Sequence, residues 1–281
     1  MKKFPIGVML ESFRLDFAQG VQKAAEVGAK GLQIYATGGD MAPENMTPAS
    51  IQEKKRIISE NGLVISALCG DLGGFSHVSE NPARIEKSKR ILDLALELGC
   101  RIVTTHLGVI PEDPGHDRYK IMQEACSPLS EYAQSIGACL AAETGCETVP
   151  VLKQFIDSIG SKGLRVNYDP ANLVMVAGID PVEGVRILGD YIVHTHAKDG
   201  IQLQKFSPEK LFGSYEGEIL HGDQLFRELP LGQGAVDFGA YLAALEEVGY
   251  DGFLTIEREM GDDPEADIRL AVGFLREKMR G

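Results

Sequence analysis

The sequence repeats one phrase along its length: a short apolar run, a polar loop, an amphipathic helix and a glycine. The apolar runs show little alternation between hydrophobic and polar positions, which is typical of parallel strands that are buried on both faces. Eight such runs occur, at Ile6–Leu10, Gly31–Tyr35, Val64–Cys69, Arg101–His106, Cys139–Glu143, Leu164–Asp169, Tyr191–Ala197 and Gly252–Glu257. The pattern therefore predicts eight buried strands that alternate with helices.

Capping residues mark the helices between these runs. Asp16 is suited to begin a helix that Gly28 ends, and Asn81–Pro82 begins a longer helix that Gly99 ends. A further helix is predicted over Val236–Val248. Four prolines are predicted in first helical turns, where a missing N–H group costs nothing: Pro48, Pro128, Pro181 and Pro264.

Alternating strands and helices require parallel pairing, and eight such units in roughly 250 residues match a closed barrel. An open doubly wound sheet is the alternative, but no GxGxxG motif follows the first strand. We therefore predict an α/β protein with a single (β/α)8 TIM barrel domain over residues 1–281. Roughly 35 residues, from Asp199 to Gly234, separate the seventh strand from its helix, and connections of this length usually cover a site or bind a ligand. We interpret this long loop after strand seven as a lid.

Composition narrows the class of protein. Hydrophobic residues make up 44% of the chain, enough for a packed core, yet no apolar run approaches the roughly 18–20 residues that cross a bilayer. The N-terminal run is similar to a signal peptide, but Glu11, Arg14 and Asp16 interrupt it and no small-residue cleavage site follows. We therefore predict a cytoplasmic protein with no membrane partner.

Charge and cysteine content exclude further classes. The net charge of −13 is spread along the chain, and such a surface repels polyphosphate backbones, so we expect no nucleic-acid partner. The five cysteines form no CxxC pair, which indicates neither a structural zinc site nor a disulfide framework. A homo-oligomer remains open.

Catalytic groups of a (β/α)8 barrel lie at the C-terminal ends of its strands. The last inward-facing residues of strands five to eight are Glu143, Asp169, His196 and Glu257. One acid at a strand end is usually a helix cap or an ion-pair partner. Four metal-capable side chains at the equivalent position of four consecutive strands rarely occur by chance. Three carboxylates and one imidazole suit Mn²⁺, Mg²⁺ or Co²⁺ and tolerate Zn²⁺. We predict one divalent metal ion here, with Mn²⁺ preferred.

Other polar side chains are predicted close to this metal. His194 points the same way as His196 because strand side chains alternate, but it lies one layer deeper, where a hydrogen-bonded core histidine is the alternative to a substrate contact. Lys198 follows in the same alternation and would project towards a substrate oxygen. His106, at the end of strand four, is either a substrate-binding imidazole or a cap of the following loop.

Five phrases carry a resemblance to a known family: Ala-Glu-Thr at 142–144, Asn-Tyr-Asp-Pro at 167–170, His-Thr-His-Ala-Lys-Asp at 194–199, Gly-Gln-Gly-Ala-Val-Asp-Phe at 232–238 and Gly-Tyr-Asp-Gly-Phe-Leu-Thr-Ile-Glu at 249–257. The chain resembles the xylose isomerase-like barrel superfamily and, within it, the sugar phosphate isomerase/epimerase family, over nearly its whole length. The resemblance implies that the metal ligands are Glu143, Asp169, His196 and Glu257. It also implies that the two glutamates exchange the substrate proton, as they do in the ketose 3-epimerases of this group.

The chemistry of such a pair also follows from the residues. A divalent cation bound by two adjacent sugar oxygens stabilises the enediolate that forms when the α-proton leaves. Glu143 and Glu257, on strands five and eight, could flank the sugar on opposite faces. Return of the proton to the opposite face gives an epimer, and return to the neighbouring carbon interconverts an aldose and a ketose. The sequence thus predicts a metal-dependent isomerase or epimerase of a small keto-sugar.

One position departs from the pattern of that family. Many of its epimerases have a histidine three residues after the strand-six aspartate, where this chain has Asn172. Asparagine can hydrogen-bond a substrate hydroxyl but cannot move a proton. No P-loop or arginine cluster indicates a phosphate on the sugar.

Three other functions are alternatives to an isomerase. A metal-dependent dehydratase of a keto-sugar or keto-inositol is the first alternative, because it also removes a proton next to a carbonyl. An endonuclease IV-like DNA repair enzyme is a remote alternative, because it needs several extra histidines for three metals, one of them where Asn172 stands. A sugar-binding protein without catalysis would leave the two glutamates unexplained.

Overall fold

A closed barrel of eight parallel strands forms the centre of the molecule. The computed structural model describes residues 2–212 and 222–280. The barrel strands are β1 (Ile6–Met9), β2 (Gly31–Tyr35), β3 (Val64–Cys69), β4 (Ile102–Thr105), β5 (Cys139–Glu143), β6 (Leu164–Tyr168), β7 (Ile192–Ala197) and β10 (Leu254–Ile256). Two further strands, β8 (Asp199–Gln202) and β9 (Phe226–Leu229), lie outside the barrel. Strands β1 to β7 pair in chain order, and β10 closes the ring between β7 and β1. This confirms the predicted (β/α)8 TIM barrel.

Helices follow the strands along the chain. They are α1 (Phe17–Val27), α2 (Pro48–Glu60), α3 (Asn81–Leu98), α4 (Asp117–Ser135), α5 (Val149–Ile159), α6 (Pro170–Asn172), α7 (Pro181–Leu188), α8 (Pro208–Leu211), α9 (Gly222–Leu225), α10 (Phe238–Glu247) and α11 (Pro264–Lys278). Short 3₁₀ turns occur at Leu10–Phe13, Gly39–Met41 and Gly189–Tyr191, and a π turn at Leu173–Ala177. The eight predicted strands agree with the barrel strands to within two residues at each end.

Local capping explains where several helices begin and end. The Asp16 side chain accepts a hydrogen bond from the backbone N–H of Gln19 at 2.9 Å, so that α1 begins after it. Helix α1 ends at Gly28, whose φ of 88° is the left-handed conformation that glycine adopts at little cost. Three of the four predicted prolines occupy the first turn of their helices: Pro48, Pro181 and Pro264.

The prediction for the fourth proline was wrong. Pro128 lies inside α4, where it has no N–H group to bond the carbonyl one turn earlier, a defect of about 3 kcal/mol or more. Met122 and Leu129 on the inner face of α4 are fully buried, and each such side chain contributes roughly 1.5–3 kcal/mol. Tyr119 and Cys126 are buried on the same helix. Packing against the core therefore outweighs the local preference of proline.

The long connection after β7 carries structure of its own. Strands β8 and β9 form an antiparallel hairpin, in which Asp199 lies opposite Leu229 and Gln202 lies opposite Phe226. The short helices α8 and α9 lie between the two strands in sequence. Residues 213–221 of the predicted lid are outside the described residues, and closure over a site stays a prediction.

A single carboxylate fixes the base of this hairpin. Asp199 is 1% exposed and accepts hydrogen bonds from the backbone N–H groups of Gly200, Gly232 and Gly234 at 2.9 Å and of Val236 at 3.2 Å. Position 234 requires glycine, because a Cβ there would collide with the Asp199 carboxylate. The hairpin is thereby tied to the chain segment that leads into α10.

We expect Asp199→Ala to lower the free energy of unfolding by about 3 kcal/mol or more. A buried N–H group left without an acceptor costs about 1–3 kcal/mol, and the bonds from Gly200 and Val236 are buried. Urea unfolding of the purified variant measures this change. Asp237→Ala is the matched control, because Asp237 caps α10 through one exposed bond to the N–H of Ala240. Loss of that cap should cost only about 0.5–2 kcal/mol. Equal losses in the two variants would contradict the structural role assigned to Asp199.

All five cysteines are free thiols, and four of them are buried. The four buried thiols therefore pack as small core side chains.

Among the helices of residues 2–212 and 222–280, none combines the length and the apolar composition that a bilayer crossing requires.

Candidate metal centre and active site

Four side chains meet at the C-terminal ends of four consecutive strands of the barrel. Glu143 ends β5, Asp169 follows β6, His196 lies in β7 and Glu257 follows β10. One ligand atom from each lies within 4.8 Å of the ligand atoms of the others. Parallel strands bring their C-terminal ends to one edge of the barrel, which is why residues so distant in sequence converge.

His196 holds the central position in this cluster. Its Nδ1 atom lies 3.1 Å from Asp169 Oδ2, 3.2 Å from Glu257 Oε2 and 3.7 Å from Glu143 Oε1. The side chains of Asp169 and His196 are fully buried, whereas those of Glu143 and Glu257 are 9% and 7% exposed. The two glutamates are thus the members of the cluster that solvent or a ligand can reach.

A glutamine that the sequence pattern does not single out orients the imidazole. Gln33 Oε1 lies 2.9 Å from His196 Nε2, while Gln33 Nε2 donates to Thr104 Oγ1 at 2.9 Å. Because the amide nitrogen is engaged by Thr104, the amide oxygen faces the ring and accepts from a protonated Nε2. His196 Nδ1 is then the nitrogen that would bind a metal ion lying between the ring and the three carboxylates.

We expect Gln33→Met to lower the affinity for a divalent metal by about 10–100-fold, because the imidazole loses the acceptor that sets its tautomer. Competition against a chelator of known affinity measures the change. Gln33→Glu is the matched control, since it keeps an oxygen beside His196 Nε2 and should retain more of the affinity. Wild-type affinity in Gln33→Met would show that the glutamine does not orient the ligand.

His194 lies one layer below the cluster. Its Nδ1 is 2.8 Å from Asn167 Oδ1 and its Nε2 is 2.9 Å from Thr255 Oγ1, so both ring nitrogens are engaged. Asn167 Nδ2 lies 3.1 Å from Glu143 Oε2, to which it donates, and 3.2 Å from His196 Nε2. Burial, together with His196, holds the pKa of His194 well below its ordinary value. Its neutral ring therefore acts through Asn167, which in turn orients Glu143.

Glu143 is contacted by two further residues that the sequence predicts. His106 Nε2 lies 3.5 Å from Glu143 Oε1, and Asn172 Nδ2 donates to the same oxygen at 2.9 Å. His106 Nδ1 lies 2.8 Å from Asp71 Oδ2, a partner that the sequence pattern missed although it follows β3 at the same edge of the barrel. Burial lowers the pKa of His106, but Glu143 and Asp71 together raise it to about 10.

Glu257 has a cationic neighbour instead. Lys198 Nζ donates to Glu257 Oε2 at 2.9 Å and to Glu259 Oε2 at 2.5 Å. Burial acts to raise the pKa of Glu257, but Lys198 and His196 hold it well below its ordinary value. Burial also raises the pKa of Glu143, and there its cationic neighbours do not reverse the effect. The two glutamates therefore sit in different electrostatic environments.

The donor set fits a divalent cation. Three buried carboxylates that converge on one imidazole nitrogen repel one another and have lost most of their hydration, which a bound cation offsets. The set is rich in oxygen, as hard divalent cations prefer, and its single imidazole is compatible with transition metals. The cluster could thus bind a divalent metal ion.

A cavity of about 850 Å³ opens above the cluster. Five predicted site residues border it: His106, Glu143, Asn172, Lys198 and Glu257. Asp169, His196 and His194 are not among the described residues of its lining. The buried pair of cluster residues thus lies beneath the floor, and the two glutamates form part of the floor itself.

The chain matches a known protein family over most of its length. Residues 21–278 match the model of the xylose isomerase-like TIM barrel family. This chain belongs to that family. The match confirms the resemblance to the xylose isomerase-like superfamily that the sequence motifs indicate. The cluster of four residues lies where the active sites of (β/α)8 barrels are found.

Two curated relatives match parts of this xylose isomerase-like chain. An uncharacterised protein of Methanocaldococcus jannaschii is 26% identical over 187 residues, which cover 62% of this chain and 56% of the relative. The inosose dehydratase of Lacticaseibacillus casei is 26% identical over 147 residues, which cover 51% of this chain and 48% of the relative. The chain spans about half the length of the curated relatives it matches.

Solved structures share the whole barrel. A xylose isomerase domain protein from Planctomyces limnophilus has a TM-score of 0.80 at 24% identity, covering 99% of this chain and 97% of that chain. The probable 3-DHS dehydratase from Bacillus anthracis has a TM-score of 0.77 at 19% identity, covering 97% and 99%. The 3-keto-D-glucoside 4-epimerase from E. coli has a TM-score of 0.73 at 18% identity, covering 98% and 100%. These likenesses show the fold, and both epimerases and dehydratases occur among them.

Proposed function

We propose that this protein is a metal-dependent isomerase or epimerase that moves a proton next to the carbonyl of a keto-sugar. One observation carries the proposal. Glu143 and Glu257 belong to the metal-capable cluster and also border the cavity, whereas Asp169 and His196 lie beneath it. The two glutamates stand at the ends of β5 and β10, which β6 and β7 separate in the barrel. Two carboxylates thus approach the cavity from different sides.

The four cluster residues Glu143, Asp169, His196 and Glu257 would hold the metal, which when bound supplies Lewis-acid polarisation of the sugar carbonyl. The proton transfer belongs to the chain's own side chains. One glutamate takes the proton from the carbon next to the carbonyl, and the other gives a proton to the opposite face. Delivery to the neighbouring carbon would instead move the carbonyl.

The neighbours of each glutamate complete the proposed roles. His106 and Asn172 lie beside Glu143 at the cavity, where each can hydrogen-bond a sugar hydroxyl. Lys198 lies beside Glu257, where its ammonium group can stabilise negative charge that develops on a sugar oxygen. His194 orients Asn167 and has no substrate contact in this proposal.

A dehydratase of a keto-sugar or keto-inositol is the second candidate, favoured by the Asp71–His106 pair. An imidazole held by a carboxylate at the cavity can protonate a departing hydroxyl group after the same α-proton has been removed. A curated relative that acts as an inosose dehydratase agrees with this candidate. A DNA repair nuclease is not proposed, because the described residues hold one metal-capable cluster and the net charge is −13.

The proposal also includes the cellular location, the partners and the domain organisation of the enzyme. Free cysteines and the acidic composition support a cytoplasmic enzyme of small-molecule sugars, acting without nucleic acid. Barrel closure between β1 and β10 supports one domain over residues 1–281.

We expect the metal-reconstituted protein to incorporate solvent deuterium next to the carbonyl of at least one keto-sugar. A panel of ketoses and keto-inositols in D₂O, followed by NMR, tests this exchange. An inverted carbon or a moved carbonyl identifies an epimerase or isomerase, and an unsaturated product identifies a dehydratase. Absence of exchange across the panel, with one equivalent of metal bound, would overturn the proposed function.

A further inference from the structure

The cavity above the cluster is larger than a free sugar needs. Its volume of about 850 Å³ lies near the upper end of the roughly 300–1,000 Å³ found for sites that hold drug-sized ligands. A free hexose is much smaller than such ligands and carries an oxygen on nearly every carbon. The cavity therefore has room for more than the reacting sugar ring.

Both polar and apolar side chains line the cavity. The residues that can contact a sugar follow the ends of the strands, close to the cluster. Apolar side chains line the cavity both at strand ends, as Tyr35 does at the end of β2, and in the connections that follow β6, β7 and β10: Met175, Val176, Phe212, Phe226 and Met260. A ligand that fills the cavity would thus need a polar part near the cluster, and its remainder would meet apolar side chains of these connections.

Two of these apolar side chains expose much of their surface to solvent. Phe212 is 46% exposed and Met260 is 59% exposed, and both border the same cavity although they come from different connections. Large apolar side chains that are exposed around one cavity indicate a surface that a ligand covers. Tyr35 and Phe226 add aromatic faces to the same walls.

The charged groups around the cavity do not favour an anionic ligand. Lys198 borders it but is already bonded to the carboxylates of Glu257 and Glu259. The cationic His106 is likewise paired with Asp71 and Glu143. Arg227 is the other lysine or arginine in the described lining, and it is a single guanidinium that shares the cavity with several carboxylates. A phosphate group usually requires several donors that converge on it. A neutral apolar group suits the outer cavity better.

We propose that the substrate is a keto-sugar with an apolar, preferably aromatic, substituent, such as a keto-glycoside with an aryl group. The sugar contacts Glu143 and Glu257, and the substituent packs against Phe212 and Met260. This inference rests on the proposed function of the same site and adds the class of substrate to it.

Equilibrium binding tests the substituent without any turnover. Phenyl β-glucoside and methyl β-glucoside lack the carbonyl and cannot react, so an NMR titration of the full chain gives their Kd values directly. We expect the phenyl compound to bind at least about tenfold more tightly, because even one methylene in an apolar pocket is worth about 10–200-fold. Equal Kd values would overturn the inference.

Substitutions in the wall locate the effect. Phe212→Ser and Met260→Ser should each reduce the ratio of the two Kd values towards one. Leu270→Ser is the matched control, because Leu270 is 47% exposed on α11 and is outside the described lining of the cavity. A ratio that falls equally in all three variants would also overturn the inference.

Catalysis separates this inference from the proposed function. Deuterium exchange is measured with keto derivatives of glucose, methyl glucoside, phenyl glucoside and glucose 6-phosphate at matched metal occupancy. We expect kcat/KM for the phenyl compound to exceed that for keto-glucose by at least about tenfold. Equal kcat/KM values would overturn the inferred apolar substituent but not the proposed reaction. A higher kcat/KM for the 6-phosphate would instead indicate that Arg227 binds a phosphate in the outer cavity. If neither these compounds nor the wider panel of ketoses exchange deuterium, the proposed reaction is overturned. The ratio of the two Kd values would then still test whether the site binds an apolar substituent.

Discussion

Glu143→Gln and Glu257→Gln are each expected to lower turnover by at least about 10²–10⁴-fold at matched metal occupancy, the loss typical of removing a general acid or base. Glutamine keeps an oxygen near the cluster but cannot accept or return a proton. Both side chains border the cavity, and they do so from strands that are not adjacent. The loss should therefore appear in the chemical step as well as in metal affinity.

The two variants should also differ in what they still do. A protein that lacks one glutamate can exchange the substrate α-proton with solvent from one face, yet it cannot deliver a proton to the other face. Deuterium uptake and product formation, followed together by NMR, separate these two activities. Uptake without epimerisation in one variant would identify which glutamate serves which face.

A nearby glutamate provides the control for this experiment. Glu259 also bonds Lys198 and borders the cavity, but it lies outside the metal-capable cluster and its side chain is 58% exposed. Glu259→Gln should therefore lose much less turnover than either cluster variant. Near wild-type epimerisation by both cluster variants would contradict the proton-transfer pair, and His106 and Lys198 would become the next candidates.

Asp169→Asn is expected to weaken metal binding by at least about one order of magnitude, the size that loss of a supporting residue alone can reach. Asp169 is fully buried, and its Oδ2 lies 3.1 Å from His196 Nδ1. Its Oδ1 accepts a hydrogen bond from the backbone N–H of Asn172 at 2.9 Å. Asparagine keeps this cap and removes the negative charge, so the change tests the charge rather than the fold.

Asp180→Asn controls for the loss of a capping aspartate. Asp180 accepts a hydrogen bond from the backbone N–H of Val182 at 2.9 Å, but it lies at the start of α7 on the exposed surface. Metal content by mass spectrometry and affinity by chelator competition should therefore be unchanged in Asp180→Asn. Wild-type protein that holds well under one equivalent of divalent metal, and gains none on reconstitution, would contradict the site.

The positions of the four cluster residues could be predicted from the sequence, because each ends or follows an apolar run of a regular pattern. In a parallel barrel all strands present their C-terminal ends at one edge, so a repeated position in sequence becomes a shared place in space. Glu143 at the end of β5 and Glu257 after β10 illustrate this rule. Local caps such as Asp16 were predictable for a related reason, since their partners lie within one helical turn.

The residues that support the cluster could not be predicted in this way. Gln33 lies between Leu32 and Ile34 in a buried strand, and its partner His196 is 163 positions away. Asp71 stands just beyond β3 and meets His106 only because β3 and β4 pair in the barrel. Hydrogen bonds between distant strands depend on register and side-chain direction, which the order of residues does not reveal.

Sequence alone thus predicted the barrel, its strand ends and the four residues of the cluster, because periodicity and capping act over a few residues. Tertiary structure decided which nitrogen of His196 faces the carboxylates, that His194 turns to Asn167, and that α4 continues through Pro128. It also decided that the segment after β7 begins as a hairpin held by Asp199. Each of these outcomes rests on contacts between elements remote in sequence, where packing and hydrogen bonding outweigh local preference.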